Sequence, residues 1–364
     1  MTHASVTPAL VVRGPDCLPA LVPHLVGFHP ESSLVLIGLA PEHRTVRVTL
    51  RIDLPHPSDA AVDVVVAWSP SLSALPRSGA LEAILVVYPG VEDDPWNVAR
   101  PRDLPLRDLV DEVAAQLHDA GVVTLDAVCV VGERLRSYWC HDAGCCPEEG
   151  RQVDRGEALR VRSVLVGQGS APLGSRQDLL RALAEREPGD PVRAAVESAR
   201  DAVVVGMPSG TERRVDRVVA DLRAYAADPR TPATLTRLVV LAGWLCASIP
   251  SRDLLLRALT VDPDPEVIGA ARAVLGEAVR CASHRAAAPP AAVLAVCCWV
   301  AGDGAAARVA LDRAIQADPS YALAALVGAA LDAGAPPWTW VEMISEVSIE
   351  SILGDELREP AQDV

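Results

Sequence analysis

Among its 364 residues the chain has no lysine, and all 33 of its basic residues are arginines. Without a primary amine side chain no Schiff base can form and pyridoxal phosphate has no anchor, while the phosphate-binding lysines of P-loop enzymes and protein kinases are missing too. Nucleotide phosphoryl transfer of the usual kinds is disfavoured. Phenylalanine and asparagine occur once each, as Phe28 and Asn97, which suggests a GC-rich coding bias before it suggests selection on chemistry. No basic run exceeds two residues, and the formal charge is −15, so a polyanion would be repelled. Nucleic acid is a poor partner on that electrostatic footprint.

Long apolar runs are missing as well. The stretch from Ala291 to Ala301 is about half of what a bilayer span needs, and it reads as a buried helix. The nine cysteines lack the spacing of a secreted disulfide framework, and the first residues lack a signal-peptide pattern. A soluble cytoplasmic protein with reduced thiols and no membrane partner is expected. The length suffices for two domains of ordinary size.

What is present changes character once along the chain. Ser33 to Leu39 is almost wholly apolar, the mark of a strand covered on both faces, and Thr45 to Asp53 alternates as a strand with one wet face, hairpin-paired to the first. Ser58 is placed to cap a helix carrying Val62, Val65, Val66 and Trp68. Ala83 to Tyr88 reads as a buried strand, Leu106 to Leu117 as a helix closed by Gly121, and Leu125 to Val131 as the next strand. Strand, helix, strand in this order predicts a right-handed crossover in a mixed sheet. Gly132-Glu133-Arg134 should then turn the chain, pairing residue 131 with 135 and 129 with 137 along a strand reaching Cys140, which puts Cys129 and Cys140 on opposite faces. Val161 to Val166 is strand-like, and the glycine-rich Gly167 to Gly174 reads as an interdomain linker, its spacing fitting no nucleotide motif.

From Gly174 onward strand signals vanish. Helices are expected from Ser175 to Glu187 and over 192–204, 211–227, 232–247, 251–259 and 265–280, separated by proline breakers. The prediction is an α/β domain over residues 1–170, followed by an all-α domain over 171–364. Within the latter, Trp299 to Pro319 resembles the second half of a tetratricopeptide repeat. The matching residues are Gly302-Asp303 at the inter-helix turn, small Ala307 and Ala314 at the close approach, and Asp318-Pro319 at the repeat end. The likeness, over 289–334, covers about one and a half repeats. It implies a stack of the kind that binds partner peptides, against the plainer alternative of helices packed with no free groove.

The densest chemistry lies in Cys140, Cys145 and Cys146, three thiols within seven residues and beside His141. Four readings stay open. Zinc would take the three sulfurs with His141 as a fourth ligand, although adjacent cysteines seldom both turn inward. A redox pair lacks the Cys-x-x-Cys spacing, a catalytic thiolate has only His141 nearby as a base, and small thiols packed beneath a sheet need no chemistry at all. Arg51, Asp53 and Arg136 are polar candidates for neighbours of that site, Arg51 and Asp53 being equally readable as a surface ion pair. His24 and His29, flanked by Pro23, Gly27 and Pro30, read as a loop rather than a two-histidine helix face, and Phe28 as a core plug.

Taken together, several segments resemble a family of high-GC Gram-positive bacteria defined as a domain of unknown function. They are Leu18 to Pro30 running into Ser33-Leu34-Val35, the Arg51-x-Asp53-Leu54-Pro55 strand end, Ser137-Tyr138 to Cys145-Cys146-Pro147, Ser175-Arg176, and Gly302-Asp303-Gly304 to Asp318-Pro319. The resemblance spans nearly the whole chain and implies that the cysteine segment is a shared family feature. The functional expectation is binding, with the helical domain engaging another protein or a second copy. The rival is a metal- or thiol-dependent enzyme built around Cys140, Cys145 and Cys146.

Overall fold

A computed structural model describes residues 14–56, 59–90, 104–167, 170–229 and 232–354. The chain divides into two compact units, Met1–Arg176 and Gln177–Val364. The first is built on β1 (Ser33–Leu39), β2 (Val46–Asp53), β3 (Glu82–Tyr88), β4 (Val123–Val131), β5 (Arg134–Ser137) and β6 (Arg151–Gln152), with helices α1 (Leu18–Val26), α2 (Ala61–Leu72), α3 (Ala74–Arg77), α4 (Arg107–Asp119) and α5 (Arg155–Gly167). The six strands lie in the order β2-β1-β3-β4-β5-β6, with β3 and β4 parallel and every other neighbouring pair antiparallel. The expected mixed sheet and its β3-α4-β4 crossover are present.

Period-two alternation divides the sheet's residues between two helical layers. Leu34 and Leu36 of β1, Leu85 and Val87 of β3, and Ala127 and Cys129 of β4 share one buried cluster with Leu109, Val113 and Leu117 of α4. Val35, Ile37, Val86 and Val128 face the other way and are equally buried. A smaller cluster joins Cys17, Ala20 and Leu21, at the start of the chain, to Val161 of α5. Strands covered on both faces have no reason to alternate in hydropathy, which is why β1 is apolar throughout.

Several sequence expectations need correction. Val161 to Val166 is helical: Asp154 Oδ1 accepts the Gly156 and Glu157 N–H groups at 2.7 and 3.2 Å, capping α5. Ala158, Val161 and Leu165 recur on one face, and that burial outweighs the β-branched content. His24 lies on α1 rather than in a loop, because burial of Leu18, Leu21 and Val22 holds a nine-residue helix around Pro23 before left-handed Gly27 ends it. On α2, Val65 is buried but Val62 and Val66 point to solvent, and the helix starts after Ala60; Ser58 lies outside the described residues. The β4–β5 turn is one residue tighter than expected. Gly132 adopts φ 57°, so Val131 pairs with Arg134 and Cys129 with Arg136. The stretch from Gly167 to Gly174 is tied to the sheet unit where it is described, since Leu173 exchanges backbone hydrogen bonds with Gly27 and His29 at 2.9 and 3.0 Å.

The second unit is all helix. A short α6 (Arg176–Arg181) replaces the longer helix expected to Glu187, for the chain turns away where the Arg186 N–H donates to the Arg280 carbonyl at 2.8 Å. Then come α7 (Pro191–Val205), α8 (Thr211–Ala227), α9 (Pro232–Cys246), α10 (Ile249–Thr260), α11 (Pro265–Cys281), α12 (Ala288–Val300), α13 (Gly304–Ala317), α14 (Ala322–Asp332), α15 (Pro337–Glu346) and α16 (Ile349–Leu353). One core runs through α8 to α14 and takes in Trp340 of α15. Asp303 caps α13 by accepting the Ala306 N–H at 3.0 Å, and Ala307 and Ala314 are fully buried where α12 and α13 pack. Arg257 donates to the carbonyls of Ile344 and Val347 at 2.6 and 2.9 Å, satisfying the end of α15. No single described helix is long and apolar enough to cross a membrane.

A candidate metal centre in the cysteine loop

The loop between β5 and β6 is shaped by its polar side chains. Ser137 Oγ donates to Asp126 Oδ1 at 2.7 Å and accepts the N–H groups of Trp139 and Cys140, each at 3.2 Å. That fills the hydroxyl's one donor and two acceptor positions and stops the strand at Ser137, short of the Cys140 expected from the sequence. Tyr138 is fully buried, its hydroxyl donating to the Pro105 carbonyl at 2.8 Å. Trp139 Nε1 donates to Asp111 at 3.0 Å. The returning limb is held by Arg134, which donates to the Glu149 carbonyl at 2.7 Å, and by Arg136, which donates to that of Glu148 at 3.4 Å.

Asp142 then makes the turn that matters. Its carbonyl accepts the N–H groups of Cys145 and Cys146 at 3.1 and 2.7 Å, and its Oδ1 accepts that of Gly144 at 2.8 Å. The result is a single helix-like turn. Adjacent side chains stand about 100° apart in such a turn rather than on opposite faces, so Cys145 and Cys146 both turn toward Cys140. The three sulfurs lie within 4.8 Å of one another, graded from buried Cys146 through half-buried Cys140 to exposed Cys145. All nine cysteines are free thiols.

The thiols differ in acidity. A hydrogen bond from the Asp142 backbone, seconded by one from Cys146, holds Cys140 below its ordinary value. Burial pushes Cys146 up to about 11, partly offset by a hydrogen bond from the Ser137 backbone. Cys140 therefore ionises ahead of Cys146. Backbone N–H groups directed at sulfur stabilise thiolates without supplying a ligand.

Not every sequence candidate joins this group. His141 is exposed and lies outside the cluster of ligand atoms. Arg51 and Asp53 are on β2, at the opposite edge of the sheet from β5, about 19 Å away at ordinary strand spacing. Arg51 instead pairs with Asp53 at 2.5 Å, donates to Ser33 Oγ at 2.8 Å and covers the ring of buried Phe28. Cys129 sits in the sheet core with Tyr138 and is not one of the three converging thiols; because it pairs with Arg136 and the strand stops at Ser137, the opposite-face relation expected from pairing with residue 137 does not apply. Asp126 and Asp142 carry no functional expectation in the sequence, and Ser137 is named there only through the family resemblance; Asp142-Ala-Gly144 is a recognisable turn signal, whereas the Ser137–Asp126 contact depends on strand register.

Fold and site together define a two-unit protein: an α/β sheet unit bearing a three-thiol loop, followed by an all-helical unit. The sequence matches the domain of unknown function DUF4192 over residues 15–338, and the chain belongs to that family. No curated protein and no solved structure matches it.

Proposed function

We propose that this protein binds a thiophilic divalent cation, zinc first, through Cys140, Cys145 and Cys146, and that it works by binding rather than by catalysis. The observation carrying this reading is the convergence of three sulfurs within 4.8 Å on a turn preorganised by Asp142. Thiolates are the preferred donors of zinc, and three protein ligands leave a fourth position for water, a partner or His141 after a rearrangement of the exposed loop. Catalysis would need a base and a substrate cleft at the thiols. Neither the cleft lined by Tyr88 and Arg162 nor the one lined by Asp59 and Pro105 draws a residue from 138–150. A reducing, cytoplasmic setting belongs to the same proposal, since it keeps the thiols available.

The test is elemental analysis of protein purified anaerobically, beside a Cys145→Ser variant with unchanged circular dichroism. About one zinc per chain, lost in the variant, is the expected result. Metal-free protein that takes up no zinc on titration overturns the reading.

A second reading, protein binding through the helical unit, draws support from apolar side chains left in solvent. Trp338 and Met343 on α15 are 48% and 41% exposed, and Leu326 on α14 is 53% exposed. The tetratricopeptide-like pattern of 289–334 fits such a role. Self-association is the specific form proposed, and light scattering of the full chain and of Trp338→Ala decides it: a monomer at 100 μM, about a hundredfold above a micromolar Kd, rules it out.

A further inference from the structure

A cleft of about 560 Å³ opens at the carboxyl ends of the parallel strands β3 and β4, between α1 and α5. In α/β sheets this is where small molecules are held, because the strand ends and the following loops leave a crevice there. Its walls are largely apolar, with Pro23 from α1, Val130 from β4 and Leu159 from α5. Two polar groups stand out. Tyr88, the last residue of β3, lines the cleft and is nine-tenths buried; its hydroxyl is closed off from solvent and has no hydrogen-bond partner among the described residues. A buried hydroxyl without a partner is costly to keep, so a native protein that retains one raises the question of what completes it. Arg162 of α5 is the second, with no ion-pair or hydrogen-bond partner among the described residues.

The sign of the charge follows from what these groups act on. Glu133 at the rim is matched by Arg155 at 2.8 Å. Burial first, and then the Arg162 charge, hold His29 below its ordinary pKa, while Glu31 is not among the groups acting on it. Arg162 supplies the positive charge on the α5 wall, facing His29 and Glu31 among the cleft's other ionisable groups.

We propose that this cleft binds a small organic carboxylate with an apolar body, Arg162 meeting the carboxylate at the rim and the Tyr88 hydroxyl donating to a second polar atom deeper in. The site is independent of the cysteine loop. It makes the chain a receptor for a small acid, whatever becomes of the thiols.

Three probes separate the contributions: 6-hydroxy-2-naphthoate, which has both polar ends; 2-naphthoate, which lacks the hydroxyl; and 2-naphthol, which lacks the carboxylate. Calorimetric titration of the full chain should rank them in that order with one site. Tyr88→Phe should weaken the hydroxynaphthoate about tenfold and leave 2-naphthoate unchanged, as expected for loss of one hydrogen bond. Arg162→Gln should weaken both acids about tenfold and spare 2-naphthol. Tyr88→Phe should melt no lower than the parent, since it removes only an unpaired hydroxyl. Equal binding of all three probes, binding of none, or affinities that both variants leave unchanged would each overturn the assignment. A Cys145→Ser variant should bind the probes as the parent does, so failure of the metal reading and failure of this one are told apart.

Discussion

The Sγ atoms of Cys145 and Cys146 lie 4.0 Å apart and face the same way, which two consecutive residues of an extended chain do not do. One acceptor causes this: the Asp142 carbonyl takes both their N–H groups and winds the chain into a turn. The thiols are held together by backbone hydrogen bonds before any ion arrives. Preorganisation of this kind spares an incoming cation the entropy of ordering its ligands.

Zinc affinity should be strongly proton-linked. At neutral pH the Cys146 thiol, raised to about 11 by burial, carries its proton and must give it up on ligation. Each proton displaced adds a tenfold rise in apparent affinity per pH unit, so competition titrations should show at least about tenfold between pH 6.5 and 7.5. Lowering the pH should release the metal. An affinity independent of pH across that range would mean that Cys146 is not a ligand.

Ser137→Ala should act on the loop without touching a sulfur. Its hydroxyl holds the N–H groups of Trp139 and Cys140 and bonds to Asp126. Removing it should cost about 1–2 kcal/mol in urea unfolding and about tenfold or more in zinc affinity, as for other groups that orient ligands. Ser137→Thr, which keeps the hydroxyl, should recover most of both. A variant that unfolds earlier but binds zinc with unchanged affinity would confine Ser137 to a stabilising role.

Much of this architecture is legible in the sequence, for identifiable reasons. The continuous apolar run of β1, the amphipathic period of α4 and the proline-bounded helices from Pro191 onward are local signals, and each appears as a matching element. The misreadings came where a tertiary contact overrides local preference. The Val161–Val166 run is helical because Asp154 caps it and one face is buried; α1 survives Pro23 because its leucines are buried. The cysteine site was legible as a concentration of thiols but not as a geometry. Whether Cys145 and Cys146 converge depends on the Asp142 turn, and whether Arg51 or Asp53 could reach them depends on strand order, which places them at the far edge. Tyr88 and Arg162, 74 positions apart, are brought to one cleft by the fold alone.

Alkaline pH should unfold the metal-free, reduced protein. Burial raises the thiols of Cys17, Cys146 and Cys298 to about 11 and that of Cys246 to about 12, above the ordinary value of 9.0. A group whose pKa is higher folded than unfolded binds its proton more tightly in the native state, so its stabilisation is complete below pH 9 and declines as the pH passes through the native value. Burial raises Cys281 and Cys297 as well, whereas Cys140 is shifted downward and works in the opposite sense, one thiol against six. Urea midpoints under anaerobic, reducing conditions should hold level up to about pH 9 and fall steadily between 9 and 11. A midpoint unchanged over that interval would show that these thiols ionise without being exposed.

The central sheet leaves no room at Gly38. A methyl group there would come within 2.8 Å of Val48 Cγ1 and 2.9 Å of Ala80 Cβ, both on short side chains with no slack. Gly38→Ala should therefore overpack the junction of β1, β2 and the residues before β3, at a cost of about 1–3 kcal/mol in urea unfolding. Gly243, inside α9 of the other unit, is the contrast: nothing lies within 4 Å of its added methyl. Gly243→Ala should stabilise the helical unit by about 0.5–1 kcal/mol through helix propensity. Both substitutions remove the backbone freedom of glycine, so a destabilising Gly38→Ala beside a stabilising Gly243→Ala points to close approach at Gly38. A stabilising Gly38→Ala would show that β2 can move away from β1, and that the edge carrying Arg51 and Asp53 is not fixed by packing.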